Sequence, residues 1–269
     1  MRFEALRLRA EPDVLWITIH RPGHDNALSA GMMAELEAAL DEAERSPECR
    51  MIVLQGDARS FCTGLDLAAV TADDGRSPEA PSQSQVHSAA QAGAEDFLHL
   101  LRRLTEIPRV VVARVEGRAV GGGVGLVAAS DFVLAGERSS FGLPEALWGL
   151  LPCCVLPYLI RRTGFQTAYA MALSTLPMDA REAHRTGLAD QVTADGGEAA
   201  IRRLRGRVGR LDPATVERLK AYARRLSFLT EQTERAAVTE FVALMTGSAA
   251  RDRIAGFTTS GTLPWEERT

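Results

Sequence analysis

The stretch VEGRAVGGGVGLVAASDFVLAG, residues 115–136, decides the fold. It begins at the end of a β-branched run, RVVVARVEG (109–117), which reads as a strand. Three consecutive glycines then open a buried apolar helix, GGGVGLVAAS (121–130), and a second strand follows at once, DFVLAG (131–136). Strand, glycine turn, helix and strand in direct succession mark an α/β protein. Upstream, VLWITIH (14–20) reads as a strand ending at Arg21-Pro22, and MIVLQG (51–56) as a strand buried on both faces. Ser29 is placed to cap a helix over 30–45, whose apolar stripe is Met33, Leu36 and Leu40.

Residues 71–94 are poor in large apolar side chains and rich in Ser, Pro, Gln and Gly, which predicts a mobile lid or binding loop. A helix over 95–105 follows, broken at Ile107-Pro108. Beyond Pro177 the pattern becomes helical, over 179–186, 198–210, 213–226, 230–246 and 249–256. The division expected is a core over 1–195 and a helical C-terminal region over 196–269. No internal repeat of fixed period is visible.

With 269 residues, 46% of them hydrophobic, the chain can bury a substantial core. A net charge of −4 gives no global basic field, which argues against nucleic acid as partner. The longest charge-free apolar stretch, 146–160, is shorter than the roughly 20 residues of a spanning helix and contains Pro152 and Pro157. The opening MRFEALRLRAEP lacks the apolar core and small-residue cleavage site of a signal peptide. Cys49, Cys62, Cys153 and Cys154 have neither zinc spacing nor a disulfide framework, so a cytoplasmic location is expected. Lys220 is the single lysine, set against 30 arginines.

Three segments can carry chemistry. Gly121-Gly122-Gly123 heads a helix, where bare N–H groups and the helix dipole suit an anion or a developing oxyanion. Close backbone packing explains the same glycines equally well. In Phe61-Cys62-Thr63-Gly64-Leu65-Asp66 a strand runs into a glycine turn; Asp66 reads first as the cap of a following helix, and Cys62 as an inert buried thiol. In FGLPEALWGL (141–150) one carboxylate, Glu145, stands in an apolar surround that would raise its pKa and make it a proton carrier; an exposed first-turn glutamate is the plainer alternative. His20, His24, His87, His99 and His184 have no metal-ligand spacing, so no metal is expected. His87 falls in the predicted loop, within reach of a site if that loop closes. Asp131, opening a buried strand, reads as a structural hydrogen-bonding group, and the arginines of 202–210 as a solvated helix face.

Five segments in order, WITIHRPGHDNALS, SFCTGLDL, VEGRAVGGGVGLVAASDFVLAG, SFGLPEALWGLLP and GLADQV, resemble the crotonase (enoyl-CoA hydratase/isomerase) superfamily across the whole chain. The resemblance implies a spiral of ββα units with a helical C-terminal region used in trimer or hexamer assembly. It implies an acyl thioester substrate on the phosphopantetheine of coenzyme A or an acyl carrier protein, with no dissociable cofactor. It also implies an oxyanion hole formed by the N–H groups of Leu65 and Gly122. Asn26, Ala27, Leu28, Thr63, Leu65, Asp66, Leu67, Gly121 and Gly122 are the substrate-binding positions carried over. Hydratases of the family use two glutamates; here the first position is Gly125 and the second is Glu145, so one carboxylate remains.

A narrower resemblance, in GGGVGLVAASDFVLA, EALWGLLPCCVLPYLIRRTG and SGTLPWEE, is to the dehydratases of polyketide β-branching. These remove water from a carrier-bound 3-hydroxy-3-methylglutaryl group. Asp66, His87 or Tyr158 would be the assistants to Glu145. A Δ3-Δ2 enoyl-CoA isomerase and a non-catalytic acyl-thioester-binding protein are the alternatives.

Overall fold

The computed structural model describes residues 3–66 and 82–260. Two sheets run side by side. The first is ordered β1 (Leu6–Glu11), β2 (Val14–Ile19), β3 (Met51–Gln55), β5 (Val110–Val115), β7 (Phe132–Gly136) and β10 (Gln191–Thr193). The second is ordered β4 (Ser60–Cys62), β6 (Arg118–Val120), β8 (Ser140–Gly142) and β9 (Met178–Asp179). Pairing is parallel except at the β1–β2 hairpin and at β9. Each of β3, β5 and β7 passes directly to its neighbour in the second sheet, so the chain winds as the ββα spiral expected.

The apolar runs of β2, β3 and β5 explain the position of the first sheet. Alternate residues point to opposite faces of a strand. Leu15, Ile17, Ile52, Leu54, Val111 and Ala113 face one core, and Val14, Trp16, Met51, Val53, Val110 and Val112 face the other. The first face is covered by α1 (Ala30–Arg45), α2 (Gln83–Glu106) and α3 (Gly122–Ala129). Past the second sheet come α4 (Leu156–Thr163), α5 (Phe165–Ser174) and α6 (Ala180–Arg185). The second face is covered by Ala200, Ile201 and Val208 of α7 (Glu198–Val208) and Val216 of α8 (Pro213–Arg225). Ser29 caps α1 by accepting from Met32 N at 3.2 Å.

One prediction from composition is overturned. Residues 82–94 are not a loop: α2 starts at Gln83, with a capping box in which Ser82 accepts from Gln85 N and Gln85 accepts from Ser82 N. The segment lacks large apolar residues but is rich in alanine, which favours helix and lets helices approach closely. Ala90 packs in this way against the cluster around Trp148. His87 is an exposed residue on this helix, not a group on a closing loop. The remainder of the predicted loop, 71–81, lies outside the described residues.

The C-terminal helices are α7, α8, α9 (Glu231–Thr246) and α10 (Ser248–Ser260). Arg205 of α7 is not merely solvated: it pairs with Glu11 and Asp13 of the β1–β2 hairpin. Lys220 of α8 is buried and pairs with Asp131 at 2.6 Å, also donating to Arg109 O at 2.8 Å. Asp131 in turn accepts from Val111 N at 2.8 Å. Burial lowers the Lys220 pKa and the Asp131 charge opposes that shift. Breaking one half of a buried pair strands the other charge, at a cost of roughly 3–5 kcal/mol. Lys220→Met is therefore expected to lower unfolding free energy by about 3 kcal/mol in urea denaturation, with the far-UV spectrum unchanged.

Candidate active site

The site is assembled where β4 ends and α3 begins. Gly64 has φ +85°, a left-handed conformation that glycine adopts without strain. A carbon built on it would lie 2.9 Å from Val120 O and 3.3 Å from Gly122 N, so no other residue fits between the two turns. Gly123 is required for a different reason: its added carbon would sit 2.1 Å from Cys62 O. Packing and ligand-facing readings of the glycine run thus both hold, at different residues.

Backbone polarity follows from this approach. Leu28 N donates to Gly64 O at 2.7 Å and Asp66 N donates to Leu28 O at 2.9 Å, a parallel bridge between Leu28 and Leu65. Strand geometry then turns the Leu65 N–H away from residue 28. Neither Leu65 N nor Gly122 N has a hydrogen-bond partner among the described residues. Gly122 is also the first residue of α3, whose dipole adds partial positive charge there. The Leu65 side chain is 40% exposed and has no part in this arrangement.

Glu145 approaches the same turn from the other side. Its Oε1 lies 3.1 Å from the position of a carbon built on Gly121, and that position is 3.7 Å from Gly64 Cα. The residue as a whole keeps partial exposure, yet Oε2 is sealed from solvent and lacks a hydrogen-bond partner among the described residues. Desolvation raises its pKa from the ordinary 4.5 to about 7. A carboxyl with that affinity can both take and return a proton near neutrality.

The short 3-10 turn that carries it, Glu145–Trp148, is held from behind by the C-terminal helix. Trp148 meets Phe257 edge-on at 5.2 Å, and Leu150, Met245, Ala250 and Ile254 complete that cluster.

The remaining predicted positions divide. Leu28, Leu65, Gly121, Gly122 and Glu145 converge around Gly64. Asn26 is fully buried, with its side chain accepting from Arg21 N at 2.7 Å and donating to Ser60 O at 2.8 Å, so it shapes the loop that presents Leu28. Ala27 is buried in that loop, and Thr63 donates to Asp25 O at 2.9 Å. Leu67 lies outside the described residues, as does any helix that Asp66 would cap. The Asp66 carboxylate pairs with Arg21 at 3.0 Å and stands 3.5 Å from His24 Nδ1.

Tyr158 is directed elsewhere: its hydroxyl donates to Glu234 at 3.2 Å, within a buried cluster that includes Arg102 and Arg224. Cys62 is a buried thiol pushed up to about 12 by desolvation, as expected of an inert cysteine. Sequence reading missed Arg21, which bonds both Ala27 O and Asp66, because an arginine before a proline marks only a strand end. It also missed Phe97, one apolar residue among many in a helical stripe, whose ring tip lies 3.3 Å from a carbon built on Gly122.

A family model described as enoyl-CoA hydratase/isomerase matches residues 9–268, and the chain belongs to that family. It is an enzyme of the hydratase/dehydratase type with the crotonase fold. Among relatives, the bacillaene synthase dehydratase PksH of Bacillus subtilis (strain 168) is 30% identical over 270 residues, covering 99% of this chain and 98% of the relative. The enoyl-CoA hydratase EchA19 of Mycobacterium tuberculosis is 33% identical over 183 residues, covering 68% of this chain and 65% of the relative. The solved structure of PksH from Bacillus subtilis superposes with a TM-score of 0.86 at 29% identity, covering 98% of this chain and all of that one. No helix among the described residues is long and apolar enough to cross a membrane.

The Glu145 shift has a cost to stability. The unfolded carboxyl ionises near 4.5 and the folded one near 7, so stability falls as pH rises through that window. Above it, the ionised buried carboxylate destabilises the fold by up to about 3 kcal/mol. Glu145→Gln is expected to raise the denaturation midpoint at about pH 8 and to have little effect at about pH 4.5.

Proposed function

We propose that this chain dehydrates a 3-hydroxyacyl thioester, and specifically converts a carrier-bound 3-hydroxy-3-methylglutaryl group to the 3-methylglutaconyl thioester in polyketide β-branching. The observation that carries the reaction type is a desolvated carboxyl, Glu145, beside two abutting turns that each present an unpartnered backbone N–H. Support for the substrate class comes from similarity to a polyketide synthase dehydratase over nearly the full length of both chains.

In this mechanism the thioester carbonyl accepts hydrogen bonds from Leu65 N and Gly122 N. Glu145 removes the α-proton, and the carbonyl oxygen takes up the negative charge. Collapse of the enolate forms the α,β double bond and expels the β-hydroxyl. The proton on Glu145 passes to that oxygen, which leaves as water. Loss of one oxyanion donor costs roughly 3–4 kcal/mol in enzymes where this has been measured, so the two amides would be the largest electrostatic contribution. Gly125, where a second acid would stand, removes the group that would hold a water for simple hydration. The substrate arrives on the phosphopantetheine of an acyl carrier protein or coenzyme A, and no dissociable cofactor takes part. Assembly as a homotrimer or hexamer in the cytoplasm, through the helices of 196–269, belongs to the same proposal.

Mass-spectrometric dehydration of hydroxymethylglutaryl carrier protein, beside the coenzyme A thioester and a 3-enoyl-CoA, tests the assignment. Loss of water from the carrier substrate is expected; turnover of the 3-enoyl-CoA alone would point to the isomerase reading. Glu145→Gln should lower kcat by at least about 100-fold, the low end for general acid–base groups. With Glu145 as the base, kcat/KM should rise with pH through a limb near 7.

A further inference from the structure

The start of α3 is bordered on one side by the Glu145 carboxyl and on the other by hydrocarbon. A carbon built on Gly122 would lie 2.6 Å from Leu28 Cδ1 and 3.3 Å from Phe97 Cζ. One built on Gly125, a turn further along, would lie 3.0 Å from the same ring tip and 3.2 Å from Val155 Cγ2. Phe97 extends from α2 with 9% of its surface exposed, so the ring is held by its packing and cannot swing away freely. The glycines at 122 and 125 leave the space that the ring fills.

Phe97 is thus the apolar side chain, with Leu28, that borders the residue whose N–H is assigned to the thioester carbonyl, and an acyl chain held there would run past it. An apolar wall there stabilises a hydrocarbon branch by removing it from water. The same wall disfavours a polar substituent, which would lose its hydrogen bonds to solvent without replacement.

We infer that Phe97 is a specificity-determining residue: its ring tip, flanked by Leu28 and Val155, forms the wall against which an alkyl branch on the β-carbon of the acyl thioester packs. The inference rests on the site assigned above and adds to it the reason a β-branched acyl group is chosen over a linear one. It also accounts for the lone acid, since the ring occupies the ground a longer side chain at 125 would need.

The test is equilibrium binding of two saturated, unreactive esters, 3-methylbutyryl-CoA and butyryl-CoA, to the full-length protein by calorimetry. Burial of one methyl group is worth about 0.8 kcal/mol, so the wild type should prefer the branched ester about four-fold. Phe97→Ala should bring the ratio close to one. Phe97→Leu stays apolar but withdraws the ring tip, and should reduce the preference below two-fold with the melting temperature little changed. A preference retained in Phe97→Leu, or absent in the wild type, overturns the inference. Glu145→Gln keeps the wall and should retain the four-fold ratio while losing turnover, which separates failure of the proposed chemistry from failure of the wall. If neither acyl group binds, as the coenzyme A ester or loaded on an acyl carrier protein, the site assignment and the inference fall together.

Discussion

The structure depends on one close approach: the glycine turn ending β4 lies against the glycine turn opening α3. It is possible because Gly64 and Gly123 lack side chains at the two points where backbone meets backbone. It is enforced by the spiral, in which β4 and β6 pair in parallel in the second sheet and deliver their following turns to the same edge. The Leu28–Leu65 bridge then satisfies one side of the incoming chain and leaves the other side facing the helix start. Two unpartnered amides arise from topology and bridge geometry alone, with no polar side chain needed to create them.

Glu145 stands in tension with this frame. Its carboxyl is desolvated by the same apolar packing that stabilises the rest of the molecule, and a buried charge without a partner is destabilising. The 3-10 turn that carries it is held in place by the Trp148–Phe257 contact and the cluster of α9 and α10 residues around it. The C-terminal helices therefore act on the site through packing. Other buried charges are handled in the opposite way: Lys220 with Asp131, and Glu234 with Arg102 and Arg224, are each paired. Among the described residues, the one buried carboxylate oxygen without a hydrogen-bond partner belongs to Glu145, whose other oxygen borders the Gly121 turn.

Much of this was legible because it is written in strong local signals. β-branched runs marked β2, β3, β5 and β7, and Ser29 marked the start of α1 where the structure has it. The glycine run and the apolar neighbours of Glu145 pointed to a turn and a desolvated acid. The rest lacked such signals. Of the second sheet only the strand end at Phe61-Cys62 was read, from the glycine turn after it; RAV and SFG are too short to show any periodicity. The early start of α2 was hidden by a composition rule that ignores alanine. Arg21 and Phe97 carry their importance in tertiary neighbours, Asp66 for one and the glycines of α3 for the other, which sequence spacing does not reveal.

The central claim is that Leu65 N and Gly122 N share the negative charge of an enolising acyl group. Isotope-edited infrared spectroscopy reads this directly, through the carbonyl stretch of a bound, ¹³C-labelled thioester. Two convergent donors should lower that frequency well below its value in water, and the shift should persist in Glu145→Gln. A carbonyl frequency at or above the aqueous value in the bound complex would contradict the account.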